Sequence, residues 1–142
     1  TILTAARQKA IQYLSSACKN KITTGFSVIL SDGILYHFKL TTEDQLNLLT
    51  IENQLLRGEN TFIYHATNEP CRIFLRKDME KIIKTFKDYV LYQTTYFNTA
   101  KHYINSLTDI EKIKSFVYGT DVSKFSESSI IKQILKRGGR FN

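Results

Sequence analysis

The chain has 142 residues and a formal net charge of +7, and 42% of its residues are apolar against 23% charged. These proportions are typical of a globular protein, and the length favours a single domain that buries its own core. The two cysteines are too few for a disulfide-rich framework. No apolar run approaches the ~20 residues that a membrane-spanning helix needs, so we expect no membrane partner.

The positive charge is spread along the chain, from Lys19 to Arg140. A net charge of this sign can attract nucleic acid, an anionic membrane or an acidic protein. No stretch matches the dense basic patch of about five to eight residues that is typical of nucleic-acid binding. A basic regulatory domain that binds nucleic acid is therefore the alternative function, and we do not expect nucleic acid to be the main partner.

The chain begins with a predicted helix and a predicted β-hairpin. Apolar residues recur at intervals of three and four over residues 4–22, which indicates an amphipathic helix. An Asp-Gly pair at positions 32–33, between two apolar runs, indicates a hairpin over residues 26–40. With a two-residue loop, Ile29 would face Tyr36. Because both faces of this hairpin carry apolar groups, either both faces are covered or one of them meets a partner.

A second helix and a second strand pair follow. Residues 43–57 have helical spacing, with Thr42 as the predicted N-cap and Gln45 reaching back to it as in a capping box. Two β-strands are predicted at 61–66 and 71–76, because apolar residues alternate on either side of a turn that contains proline.

The second half of the chain is predicted to be helical. A long helix covers residues 78–106, and a short helix over 109–116 follows a capping signal at Thr108. A last helix is predicted over residues 126–137. We expect this end of the chain to be mobile, or to be ordered only against a neighbouring molecule.

These elements predict an α+β fold. We expect two antiparallel hairpins, combined in one four-stranded sheet, packed with about four to five helices of which one is long. Residues 1–122 are predicted to form the single α+β domain, and residues 123–142 a basic C-terminal helix or tail ordered by a partner.

The sequence contains few groups that indicate catalysis. A metal site formed by His37, His65 and Cys71 is conceivable, but histidines in strands are more often held by ordinary hydrogen bonds. A nucleophilic pair of Cys71 and His65 is also conceivable, although no third residue that would orient the base is apparent. No phosphate-binding glycine loop is present. We therefore expect no cofactor, no metal and no enzymatic activity.

The long helix carries four tyrosines on or beside its apolar stripe, namely Tyr89, Tyr92, Tyr96 and Tyr103. Aromatic residues among lysines could stack on nucleic-acid bases. Their helical spacing instead favours packing in the core or against another subunit, with each hydroxyl bonded to a polar group at the edge.

Several segments, taken in order over residues 10–120, resemble one known family. They are Ala17-Cys18 with Ile22 and Gly25-Phe26, Leu30-Ser31-Asp32-Gly33, His37-Phe38-Lys39-Leu40-Thr41 with Asp44-Gln45-Leu46-Asn47-Leu48, Tyr64-His65-Ala66, Glu69-Pro70-Cys71-Arg72, Tyr92 with Thr94-Thr95-Tyr96-Phe97-Asn98, and Tyr118-Gly119. Together they resemble an uncharacterised domain family found in tail-fibre and baseplate proteins of tailed phages and prophages.

The resemblance implies a structural role in the virion, close to the tail fibres or the tail tip. It implies no enzymatic activity and supplies no catalytic residues. The expected partners are other phage tail and baseplate proteins and copies of the chain itself. The expected location is the virion, with the host cytoplasm as the site of assembly.

Two groups of residues are candidates for these roles. Polar residues at family positions are expected to form a buried or half-buried network that holds the hairpins to the helices, because unpaired buried polar groups are costly. This predicted network consists of Gln45, Asn47, His65 and Asn98. The predicted assembly contacts are Tyr89, Tyr92, Tyr96, Tyr103, Ile130, Ile134, Arg137 and Arg140.

Overall fold

The computed structural model of the chain describes residues 1–126 and 128–141 and, for residues 139 and 140, the backbone alone. The predicted α+β class is confirmed, since the described residues form five α-helices, one of 31 residues, and two antiparallel hairpins. In chain order the elements are α1 (Ile2–Thr24), β1 (Phe26–Ile29), β2 (Leu35–Phe38), α2 (Thr42–Leu56), β3 (Thr61–Tyr64), β4 (Arg72–Leu75), α3 (Arg76–Ser106), α4 (Ile110–Lys114) and α5 (Ser129–Arg137). Short 3₁₀ turns cover Ser123–Phe125 and Gly138–Phe141.

The chain divides into two compact units whose boundaries fall within α1 and α3. The helical unit comprises Thr1–Lys21 with Val90–Asn142, and the hairpin unit comprises Ile22–Tyr89. This division differs from the predicted boundary after residue 122. Val122 and Leu135 are buried in one apolar cluster with Leu14. The C-terminal segment, expected to need a partner, is therefore part of the core of the helical unit, although its residues 127 and 142 lie outside the described residues.

The first hairpin has a three-residue turn instead of the predicted two-residue loop. Ile29 pairs with Leu35, not with Tyr36, so the predicted register is wrong by one residue. The N–H of Gly33 donates to the carbonyl of Leu30 at 2.9 Å, and the φ angle of Gly33 is +78°. A turn that ends in a glycine of positive φ adds one residue to the loop, which explains the shift.

The two hairpins are separate within the described residues and do not form the expected four-stranded sheet. In the second hairpin, β3 and β4 are antiparallel, and Ile63 pairs with Ile73. The N–H of Thr67 donates to the carbonyl of His37 at 2.8 Å, which links the hairpins. Since Thr67 follows the end of β3, this bond lies outside the strand and does not extend into a ladder.

Aromatic rings form the centre of the hairpin unit. The ring of Phe38 lies 5.6 Å from that of Phe26, 6.1 Å from that of Tyr64 and 6.2 Å from that of Phe74, measured between centroids. All four residues are buried. Burying one such side chain contributes about 1.5–3 kcal/mol, so this cluster is a major source of stability for the unit.

Helix α2 begins one residue earlier than predicted. The N-cap is Thr41, whose hydroxyl oxygen accepts from the N–H of Asp44 at 3.1 Å. The carboxylate of Asp44 accepts in return from the N–H and the hydroxyl of Thr41, at 3.0 and 2.7 Å. A capping box is thus present, but with Thr41 and Asp44 in the places predicted for Thr42 and Gln45.

The helical unit has a continuous apolar core. It is formed by α1, the second half of α3, α4 and α5, and its fully buried residues include Leu14, Ile104 and Ile113. Helix α4 is capped by Asp109, whose carboxylate accepts from two backbone N–H groups, and not by the predicted Thr108. The core of this unit therefore combines residues from both ends of the sequence.

Candidate interaction surfaces

The tyrosines of α3 lie mostly inside the protein. Tyr89, Tyr92 and Tyr96 are buried, so they cannot serve as the assembly contacts that the sequence predicted. Tyr103 is half-buried, and its ring stacks on that of Phe125, with 4.0 Å between the centroids and 18° between the planes. The stripe of α3 is apolar because it faces the protein's own core, and a sequence pattern alone does not distinguish that core from a subunit interface.

The remaining predicted assembly contacts lie near the C-terminus. Ile130 and Arg137 are exposed on α5, and Ile134 is half-buried. The side chain of Arg140 lies outside the part of the chain that the structure describes. Ile130 and Arg137 are therefore the most accessible of the predicted contacts whose side chains the structure describes.

The four residues of the predicted polar network occupy separate positions. Asn47 and Asn98 are exposed, which contradicts their expected burial. Gln45 donates from Nε2 to the carbonyl of Leu40 at 3.1 Å, and Nδ1 of His65 lies 3.0 Å from the carbonyl oxygen of Ala66. Among the hydrogen bonds of the described residues, none joins two of these four. Asn47 and Asn98 lie on the solvent side of their helices. The sequence spacing alone did not predict that these two side chains are exposed.

A different polar cluster lies within the helical unit, and the sequence prediction missed it. The hydroxyl of Tyr118 donates to Oε1 of Gln93 at 2.7 Å, and the thiol of Cys18 is 3.5 Å from the backbone carbonyl oxygen of Gln93. Nε2 of Gln93 is buried without a hydrogen-bond partner in the described part of the chain. Burial raises the pKa of the Tyr118 phenol and of the Cys18 thiol. The sequence could have indicated that Gln93 is buried, because Gln93 lies three residues after Val90 and so falls on the apolar stripe of α3.

The histidines and cysteines considered for chemistry have ordinary surroundings. Nδ1 of His37 lies 2.8 Å from the hydroxyl oxygen of Thr67, His65 is bonded as described above, and Cys71 is exposed. The described residues contain no group of three or more histidine, cysteine, aspartate or glutamate side chains placed to hold a metal ion.

The outer sides of the two hairpins carry exposed apolar residues. Five such side chains have exposed fractions between 53% and 72%. They form what we call the outer apolar faces: Ile29, Leu35, Ile63, Ile73 and Leu75. The pairs Ile29–Leu35 and Ile63–Ile73 are cross-strand partners, so the exposed groups lie side by side on each hairpin. Clustered exposed apolar side chains are typical of interaction sites, whereas single ones are common everywhere.

Both hairpins also offer strand edges, and on the first hairpin the carbonyl of Ile29 accepts from Nζ of Lys81 and that of His37 from the N–H of Thr67. Each sheet has two strands, so every strand of the described residues is an edge strand. Edge strands carry free backbone N–H and C=O groups that can pair with another chain. The outer apolar faces and these edges together provide both apolar and hydrogen-bonding contacts for a protein partner.

The first hairpin is held in place at its turn. The hydroxyl of Tyr36 donates to Asp32 at 2.5 Å, and the guanidinium of Arg72 donates to the same hydroxyl oxygen at 3.1 Å. The hydrogen bond from Tyr36, followed by that from the N–H of Ile34, lowers the pKa of the Asp32 carboxyl. These bonds connect β4 to the first hairpin, so Ile29 and Leu35 are presented on a fixed scaffold.

Comparisons with other proteins add no family assignment. No protein-family model, curated protein or solved structure matches the chain. Within the described residues, no helix combines the length and the apolar character needed to cross a membrane.

Proposed function

We propose that the chain is a structural component of a bacteriophage tail or a phage-tail-like particle, in the baseplate, at the tail tip or beside the fibres. It acts through protein–protein contacts, and its partners are other tail proteins and copies of itself. The resemblance of its ordered segments to tail and baseplate domains supports the class of particle. The outer apolar faces are the observation that carries the proposed mode of action.

The energetics suit a subunit that works within a larger assembly. Fully burying one Ile or Leu side chain contributes about 1.5–3 kcal/mol, and association of two molecules costs about 4–15 kcal/mol. The five residues of the outer apolar faces therefore give a contact of modest strength by themselves. Repetition of the contact around a symmetric ring makes such a subunit stable in its assembly.

The most direct test is whether the chain is present in particles. Tail particles purified from the producing strain on a density gradient are analysed by mass spectrometry. We expect the chain to co-purify with tail-tube and baseplate proteins at a fixed ratio through successive gradients. Absence of the chain from the particles, together with DNA binding that weakens steeply with salt, contradicts the proposal and favours the nucleic-acid alternative.

The contact surface is tested with charge substitutions. Ile63→Lys combined with Ile73→Lys places two like charges at a cross-strand position. We expect this variant to melt close to the parent and to be lost from particles. Leu91→Lys is the matched control, because Leu91 is exposed but belongs to α3. Incorporation of the double variant at the parental ratio would show that the outer apolar faces are not the contact.

A further inference from the structure

An open cleft of about 380 Å³ lies between α1 and α4 in the helical unit. Its lining is mostly apolar and includes Ala6, Ala10, Ile113 and Phe116. Ile113 is fully buried beneath the cleft, so the floor is a part of the core. The volume is at the lower end of the range of about 300–1,000 Å³ that ligand pockets occupy, which suits one or two large apolar side chains.

Two lysines line this cleft from opposite walls. Lys9 is on α1 and Lys114 is on α4. Neither ammonium takes part in an ion pair among the described residues. Helix α1 contains no aspartate or glutamate along its 23 residues, while it contains four lysines and arginines. The cleft thus combines an apolar floor with positively charged walls.

The other polar group in the lining is already bonded. The hydroxyl oxygen of Tyr13 accepts from the backbone N–H of Tyr118 at 3.0 Å. This bond fixes the phenol beside the cleft and attaches α1 to the segment after α4. The ammonium groups of Lys9 and Lys114 therefore remain as the charged groups that a ligand would meet.

We infer that this cleft binds an acidic peptide segment of a partner protein. One large apolar side chain of the segment enters between α1 and α4, and carboxylates on either side of it contact Lys9 and Lys114. A fatty acid fits less well, because its single carboxylate can satisfy one wall only. The site belongs to the helical unit and is distinct from the outer apolar faces, so it goes beyond the proposed assembly contact.

The test uses a labelled peptide and the full chain. A fluorescein-labelled peptide with a central phenylalanine flanked by acidic residues is titrated with the protein, and fluorescence anisotropy is recorded. Two control peptides carry a central alanine, or lysines in place of the acidic residues. We expect the alanine peptide to bind about tenfold or more weakly, because the apolar burial is lost. The lysine peptide should not bind.

Charge reversal then locates the site. Lys9→Glu and Lys114→Glu should each weaken binding by about two- to fivefold, as for exposed ion pairs, and the double variant should weaken it further. Lys101→Glu is the matched control, since Lys101 is exposed in the same unit but does not line the cleft. It carries the same change in charge and should bind as the parent does.

Three results would overturn the inference. The first is failure of the parent chain to bind the acidic phenylalanine peptide. The second is equal affinity for the phenylalanine and alanine peptides, which would show that the cleft floor is not used. The third is an equal loss with Lys101→Glu and Lys9→Glu, which would indicate diffuse attraction by the net charge. None of these results bears on whether the chain is present in tail particles, so the two proposals fail separately.

Discussion

The carboxylate of Asp78 accepts two hydrogen bonds from Ser31, one from the backbone N–H at 3.0 Å and one from the hydroxyl at 2.8 Å. Ser31 belongs to the turn of the first hairpin, and Asp78 lies in the first turn of α3. A carboxylate is favoured there, because the N-terminal end of a helix carries partial positive charge. The pair therefore attaches the hairpin turn to the helix and fixes how Ile29 and Leu35 are presented.

Loss of this attachment should have a measurable cost. Asp78→Ala is expected to lower the free energy of unfolding by about 1 kcal/mol, because two bonds to a charged acceptor are lost and water replaces them in part. Urea unfolding followed by circular dichroism measures the change. Glu80→Ala is the control, since Glu80 is exposed two residues later on the same helix. Equal losses in the two variants would show that the Ser31 bonds contribute nothing.

The position of the α2 cap gives a second prediction. Thr41→Ala should destabilise the protein by about 1 kcal/mol, because both bonds of its side chain with Asp44 are removed. Thr42→Ala should change stability by less than about 0.5 kcal/mol, as is usual for an exposed surface position. Thermal melting of the two variants in parallel is the measurement. The reverse order would place the cap at Thr42.

The buried pair of Gln93 and Tyr118 gives a third prediction. Tyr118→Phe leaves the buried Oε1 of Gln93 without its donor, so we expect a loss of about 1–3 kcal/mol. Adding Gln93→Met should recover a part of this loss, because the buried amide is removed along with its unpaired Nε2. A double-mutant cycle in urea measures the coupling. If the changes in the free energy of unfolding caused by the two substitutions are strictly additive, the two side chains do not interact.

Alkaline pH should destabilise the protein in a defined range. Burial raises the pKa of Tyr64 and of Tyr96 to about 12, while an unfolded tyrosine ionises near pH 10. Below about pH 10 both states keep the phenol protonated, so the contribution to stability is complete. Between about pH 10 and 12 the unfolded state releases the proton and the folded state does not, so stability falls as the pH rises.

The size of this effect can be measured with single substitutions. Each such tyrosine lowers the free energy of unfolding by roughly 1.4 kcal/mol per pH unit in that range. Tyr64→Phe should reduce the slope by about this amount and leave stability near neutral pH little changed. Urea unfolding from about pH 9 to about pH 11.5 gives the slope. A slope identical to that of the parent would show that Tyr64 ionises normally in the folded state.

Most helices could be predicted from the sequence because their signals are local. The spacing of apolar residues and the position of capping groups predicted α1, α2 and α3 to within about two residues of their observed ends. The register of the first hairpin was not predicted. It depends on the left-handed backbone of Gly33, which adds a residue to the turn, and on the burial of Tyr36 on the inner side.

The burial of the candidate-site residues depends more strongly than the helices do on packing between residues that are far apart in the sequence. The spacing of Tyr92 and Tyr96 correctly indicated an apolar stripe on α3, but their partners come from the two ends of the chain. Local spacing also failed to predict the burial of Asn47 and Asn98, which are exposed. The exposed apolar side of the first hairpin was partly foreseen, because apolar residues on both of its sides indicated that both sides are covered or that one meets a partner. No such expectation was made for the second hairpin.

The sequence by itself determined the α+β class, the order of the helices and hairpins, and the apolar stripe of the long helix. Each of these rests on interactions between residues that are close along the chain. Only the tertiary structure decided that Tyr92 packs against Phe141 and Tyr103 against Phe125. It also decided that the hairpins are separate within the described residues and that Lys9 and Lys114 line the same cleft. Those features depend on which segments, distant along the chain, pack together and exclude water. Hydrophobic burial is not directional, so the local pattern of apolar residues does not specify the segment against which they pack.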